Sequence, residues 1–171
     1  MQFPWQKPAH PLGQLSRANT LGRAGAGIGA GFLAGLAGTA AMTLSSIAEM
    51  KLRDRKPSTV PQDAAAKLLG LEARNSDELN RLGQVVHWQY GTSLGAIRGL
   101  MTAASLREPL ASILFFAAVW ALDLAVVPAL AENKPATEWG ADELAIDGFH
   151  HLVFVGVTAL ALRALLKKRG R

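Results

Sequence analysis

The chain has 171 residues, half of them apolar, with 17 glycines, a net charge of +5 and no cysteine. The missing cysteine excludes disulfides, thiolate metal sites and thiol chemistry, and leaves histidine and carboxylate as the available ligands. The positive charge is spread over tails and loops rather than interleaved with aromatics along one stripe, so the expected partner is a lipid bilayer and not a nucleic acid.

Residues 1–21 hold Pro4, Pro8, Pro11 and Gly13 without sustained periodicity, and no acid occurs before Glu49. They read as a flexible basic N-terminal tail. Ala24 to Ala48 is a run of 25 uncharged residues. At about 1.5 Å per residue it is long enough to cross about 30 Å of hydrocarbon, and it outruns a signal-peptide core. This is the first span, 24–48, of a membrane domain expected over residues 22–168.

The chain then turns polar. Thr59 and Gln62 have capping-box spacing with Pro61 just inside, which predicts a short amphipathic helix in the first loop, ending near Gly70. Asn75 and Glu78 repeat the spacing and announce the second span, about 83–105. Arg98 lies in its far half, and the favoured reading is that it snorkels to the headgroups rather than entering a buried ion pair. The link of residues 106–108 is short, so spans two and three are antiparallel neighbours. Pro109 opens the third span, 109–131, which carries Asp123 inside an apolar run and Pro128 one turn later.

Residues 132–143 form an acidic loop before the fourth span, about 144–166, which exits into Lys167, Lys168 and the basic end 169–171. The fold class expected is therefore all-α: a four-span transmembrane helical bundle with both termini on one side. Orientation is nearly balanced by count, with nine Lys and Arg on the terminal side and eight on the other. The acid-free tail before the first helix favours cytoplasmic termini.

Gly27, Gly31 and Gly35 form a stripe of glycines four apart in the first span, and Gly91, Gly95 and Gly99 do so in the second. Such stripes let helix backbones approach closely. Ala117, Ala121, Ala125 and Ala129 make a milder version on the third span, nearly opposite Asp123 at about 100° per residue. That helix is expected to be the most enclosed, or to offer its alanine face to another subunit or a second copy.

An ionisable side chain inside a span is costly unless sheltered, so Asp123 is the natural centre of a site. Topology brings Glu49, His87, Asp123, Asp147, His150 and His151 toward the same end of the bundle, and Asp147 and His151 are one helical turn apart. Three readings compete: register-fixing polar contacts, a proton or ion relay with Asp123 deepest, and a metal or haem held by histidines. No HExxH, CxxCH or nucleophile-elbow pattern occurs, so no catalytic residue is assigned, no enzyme is expected, and no cofactor or metal is assigned either. Trp88, Tyr90, Trp120 and Trp139 read as interfacial belt and core.

The glycine-rich first span followed by Glu49 and a proline-bearing loop, the string GQVVHWQYGTS over 83–93, the spacing of Asp123 and Pro128, and Asp147 with His151 at the head of a basic-ended last span are all present. This layout resembles the YagU-like family of small bacterial inner-membrane proteins, over about 140 residues. The resemblance implies a multi-pass inner-membrane protein and supplies no activity. In that family's pattern the Asp123 position can carry histidine and the His87 position an amide, which favours Asp123 and the Asp147–His151 pair over His87. The function expected is an accessory or structural membrane subunit, or else a proton-linked conduit for a small solute or ion.

Overall fold

The computed structural model describes residues 11–56, 59–70, 75–130 and 134–169. They form α1 (Pro11–Leu52), α2 (Val60–Leu68), α3 (Ser76–Ala103), α4 (Leu110–Leu130), a 3-10 turn (Ala136–Glu138) and α5 (Ala141–Arg169), with no strand among the described residues. The architecture is all-α. The first helix begins at Pro11, so residues 11–21 are helical where a flexible tail was expected. A proline in the first turn is compatible with a helix, and Leu15, Ala18 and Leu21 are good helix formers. Residues 1–10 of that tail and residues 170–171 of the basic end lie outside the described residues.

Local chemistry sets the helix ends. Asn75 Oδ1 accepts the Glu78 N–H at 2.9 Å, which satisfies one of the donors exposed at the start of α3. Thr59 makes no such bond: α2 starts on its backbone, with a proline in the first turn. At the end of α3, Ser105 takes a left-handed conformation with φ of 66°. The Leu106 N–H then reaches the Met101 carbonyl at 3.1 Å and the Ser105 N–H that of Thr102 at 2.9 Å. Arg23, from α1, adds a cation there by donating to the Ala103 carbonyl and Ser105 Oγ.

α1 is the central element and packs most extensively on α3 and α5. The two glycine stripes face each other in antiparallel register. A Cβ added at Gly27 would lie 2.7 Å from the Gly99 carbonyl oxygen, and one at Gly35 would lie 2.8 Å from both the Gly91 carbonyl oxygen and the Gly95 Cα. Gly31 meets Gly95 and Gly99 in the same way. The ladder continues with side chains, as Thr39 sits on Gly91 and Thr43 on His87. On its other face α1 puts Ala30 and Ala34 against Leu162, and Gly38 against Phe154 and Thr158 of α5.

α4 corrects one expectation. Its most apolar stretch is only 18% buried, against 39% in α1 and 33% in α5, so it is the least enclosed of the three. Ala117, Ala121, Ala125 and Ala129 are all exposed. A face of methyl groups needs no protein cover in hydrocarbon, so only the side carrying Asp123 has to be sheltered.

Arg98 corrects another. It is 2% exposed, donates to Thr102 Oγ1 at 2.8 Å, and pairs with Glu108 in the turn before α4. Glu108 in turn accepts from Ser112 Oγ at 2.6 Å. The guanidinium is thus held inside the bundle by the next turn of chain instead of reaching headgroups.

Among the described residues, three helices are long and apolar enough to cross a membrane: Asn19–Leu52, Leu110–Leu130 and Ala141–Lys167. α3 is not among them, because Gln84, His87, Gln89 and Arg98 interrupt its apolar residues. The distribution of side chains departs from that of a water-soluble domain, with large apolar residues outside and several polar ones buried beside an apolar core. Phe32, Leu44, Ile97, Ile113, Phe149 and Leu160 point outward, whereas Thr39, Thr92, Arg98, His150, His151 and Thr158 are buried. Exposed apolar surface on this scale, together with helices of this length, marks a membrane protein.

Candidate functional site

His151 stands one turn after Asp147 on α5, and α4 brings Asp123 to its other side. The His151 Nδ1 lies 2.9 Å from the Asp147 main-chain oxygen and 3.5 Å from its Oδ2. A carbonyl oxygen can only accept, so Nδ1 carries a proton and donates. Nε2 then faces Asp123, with 3.7 Å between it and Oδ2. That separation is too long for a direct hydrogen bond. His151 is almost fully buried and both carboxylates are partly buried. No arginine among the described residues pairs with either carboxylate.

Asp147 is itself held. Trp120 Nε1 donates to its Oδ2 at 2.8 Å. The indole can lie there because residue 148 is glycine: a Cβ at that position would fall 3.1 Å from the Trp120 ring. Trp120 is therefore part of the site rather than belt or filler. Its place three residues before Asp123, on the same face of α4, was the available signal. Trp120→Phe keeps an aromatic side chain but removes the donor and the pyrrole half of the indole, and is expected to lower stability by about 1–3 kcal/mol, read as a lower melting temperature in detergent. An unchanged melting temperature would show that the bond carries no weight.

Asp123 and His151 line a cavity of about 60 Å³ together with Thr39, Met42, His87, Tyr90, Gly91 and others, so α1, α3, α4 and α5 all contribute. Much of the wall is apolar, from Met42, Leu94, Val119 and Phe154, but Asp123, His151, His87, Thr39 and Tyr90 offer polar groups, and the size admits a few water molecules. His87 lines it too, and its bonding can be worked out. Thr43 Oγ1 gives its one proton to the Thr39 carbonyl at 2.8 Å, so at 3.1 Å it accepts from the His87 Nε2–H. His87 is thereby fixed at the cavity wall with its Nε2 proton turned to Thr43.

Two expected members lie elsewhere. His150 follows at about 100° around α5 and turns to α1, where its Nδ1 is 2.5 Å from Ser45 Oγ and its Nε2 is buried without a hydrogen-bond partner. Glu49 is taken by the arginines just after α1, with Arg55 Nη2 at 2.8 Å and Arg53 Nη1 at 3.7 Å. The hydrogen bond to Glu49 raises the Arg55 guanidinium above its ordinary pKa. Arg53 also reaches Asp142 of α5 at 3.5 Å, so these pairs tie the end of α1 to the start of α5. The sequence-level grouping of six residues thus resolves into a core of Asp123, Asp147 and His151, with His87 at the wall and Glu49 and His150 in separate contacts.

No family model, curated protein or solved structure matches the chain.

Proposed function

We propose that this is a four-span integral membrane protein that binds and passes a cation at the centre of its helix bundle, with Asp123, His151 and Asp147 as the binding centre. The observation that carries the reading is that His151 stands between two carboxylates, Asp123 and Asp147, with Asp123 and His151 opening on a small cavity between helices whose outer surfaces are apolar. Two acids sharing one histidine in such surroundings call for a positive partner, a proton or a metal ion. The four-span topology is supported by the glycine ladder. α3 runs beside the uncharged stretch of α1 from Gly27–Gly99 to Thr43–His87, about 24 Å along α1 and about 18 Å along α3 at about 1.5 Å per residue. A crossing by α1 therefore keeps α3 beside it for much of the hydrocarbon depth. Insertion in a bacterial inner membrane with cytoplasmic termini is the part of the proposal that rests on sequence alone, on the acid-free tail and the resemblance to the YagU-like family.

The test is reconstitution in liposomes with dyes for protons and for divalent cations. Flux of at least one of them is expected, falling about tenfold or more in Asp123→Asn. No flux of either, or a flux indifferent to that substitution, would overturn the reading.

A second reading, an accessory subunit, draws on the exposed alanine face of α4, which lipid alone can cover but whose small side chains also allow another helix to pack closely. It expects other chains, or a second copy, to accompany the protein through gentle detergent purification, and a monodisperse monomer would end it.

A further inference from the structure

From the same centre we infer a site for a divalent first-row transition metal ion, with His151 Nε2 and the Asp123 carboxylate as ligands and Asp147 as the group that orients and supports them. The inference rests on the cation-centre reading above and names the cation.

The starting point is the proton on His151. Nδ1 must donate, because its near neighbours are the Asp147 main-chain oxygen at 2.9 Å and Asp147 Oδ2 at 3.5 Å. In the neutral ring this leaves the Nε2 lone pair aimed at Asp123 Oδ2 across 3.7 Å. Two electron-rich atoms face each other at a distance beyond hydrogen bonding. A metal ion with bonds of about 2.0–2.2 Å to nitrogen and oxygen holds such ligands about 3.4 Å apart at a tetrahedral angle, and further apart at a wider one. The gap in the protein has that width.

The surroundings agree. Metal-bound histidines commonly give the other ring N–H to a main-chain carbonyl or carboxylate, and Asp147 supplies both. Asp147 is fixed in turn by Trp120. Potential ligand atoms of Asp123, Asp147 and His151 all lie within 4.8 Å of one another, so the Asp147 carboxylate is also within reach of a shared ion. The adjoining cavity has room for the water molecules that complete a coordination shell. One imidazole with carboxylates, in a chain without cysteine, suits Mn²⁺, Fe²⁺ or Zn²⁺ better than Cu⁺, Mg²⁺ or Ca²⁺.

The full-length protein, purified in detergent and stripped with chelator, should be titrated with Zn²⁺ by calorimetry and with Mn²⁺ by electron paramagnetic resonance. One ion per chain is expected, with affinity lowered about tenfold or more in Asp123→Asn and in His151→Ala, and unchanged in His150→Ala. X-ray absorption on the zinc-loaded unsubstituted protein makes the result independent of how the variants fold, and should show an imidazole among nitrogen and oxygen ligands. Absence of saturable binding, binding indifferent to both substitutions, or a zinc site without imidazole would overturn the inference. If zinc fails to bind while proton flux remains sensitive to Asp123→Asn, the metal assignment falls and the conduit stands. If flux is absent as well, both fall.

Discussion

Gly95→Ala is expected to destabilise the bundle, whereas Gly29→Ala, on the facing helix, is expected to leave it unchanged or slightly more stable. A Cβ at Gly95 would lie 2.6 Å from the Gly35 nitrogen and would overlap the Gly35 Cα and the Gly31 carbonyl oxygen. These are main-chain atoms, so no side chain can rotate aside and the helices must separate. Overpacking of this kind costs about 1–3 kcal/mol, and separation also loosens the contacts from Gly27 to Thr43. Around Gly29 there is nothing within 4 Å, so the added methyl meets open space and only helix propensity changes, by about 1 kcal/mol in favour of alanine. Melting in one detergent should therefore move in opposite directions, or fall only for Gly95→Ala. Equal melting temperatures would mean that the two ridges are not in contact.

Glu108→Ala should cost more than Arg98→Met, although each breaks the same ion pair. Arg98 is 2% exposed, and once Glu108 is removed its positive charge stays inside with Thr102 as the remaining side-chain partner. Its Nε already lacks a partner. Arg98→Met instead leaves a carboxylate whose side chain is 51% exposed and still accepts from Ser112. Breaking a fully buried pair costs about 3–5 kcal/mol; with half of Glu108 in solvent, about 1–3 kcal/mol is expected for Glu108→Ala. The double variant should recover most of that loss, since an apolar pair can replace a buried ionic one. A larger loss for Arg98→Met would show that the guanidinium stem, and not the charge balance, matters there.

Periodicity made part of this legible in the sequence and hid the rest. Glycines four apart on two neighbouring antiparallel helices have few ways to be used in lipid, and Gly31 against Gly95 is the simplest. Asp147 and His151 lie one turn apart on any α-helix, and the alternation of spans put Asp123 at their level. What escaped depended on direction around a helix or on residues beyond it. His150 differs from His151 by one position, enough to turn it to Ser45. Glu49 has Arg53 one helical turn on, a spacing the sequence shows, but its shorter pair is with Arg55, in a loop whose path no periodicity describes. Arg98 within its own helix reads as a snorkelling side chain, while its partner Glu108 arrives from the next turn of chain. The alanine face of α4 suggests a protein neighbour only if lipid is left out, since hydrocarbon covers methyl groups as well. Residue type alone puts Trp120 in belt or core; its position three before Asp123 ties it to the site.

The most direct measurement is solid-state nuclear magnetic resonance on the protein in bilayers, following magnetisation transfer to the Asp123 carboxyl carbon, assigned by its loss in Asp123→Asn. Transfer from water protons, and from the ring of His151, is the expected result, since the carboxylate looks into a cavity walled by four helices. Transfer chiefly from acyl-chain protons would place it in lipid and contradict the account.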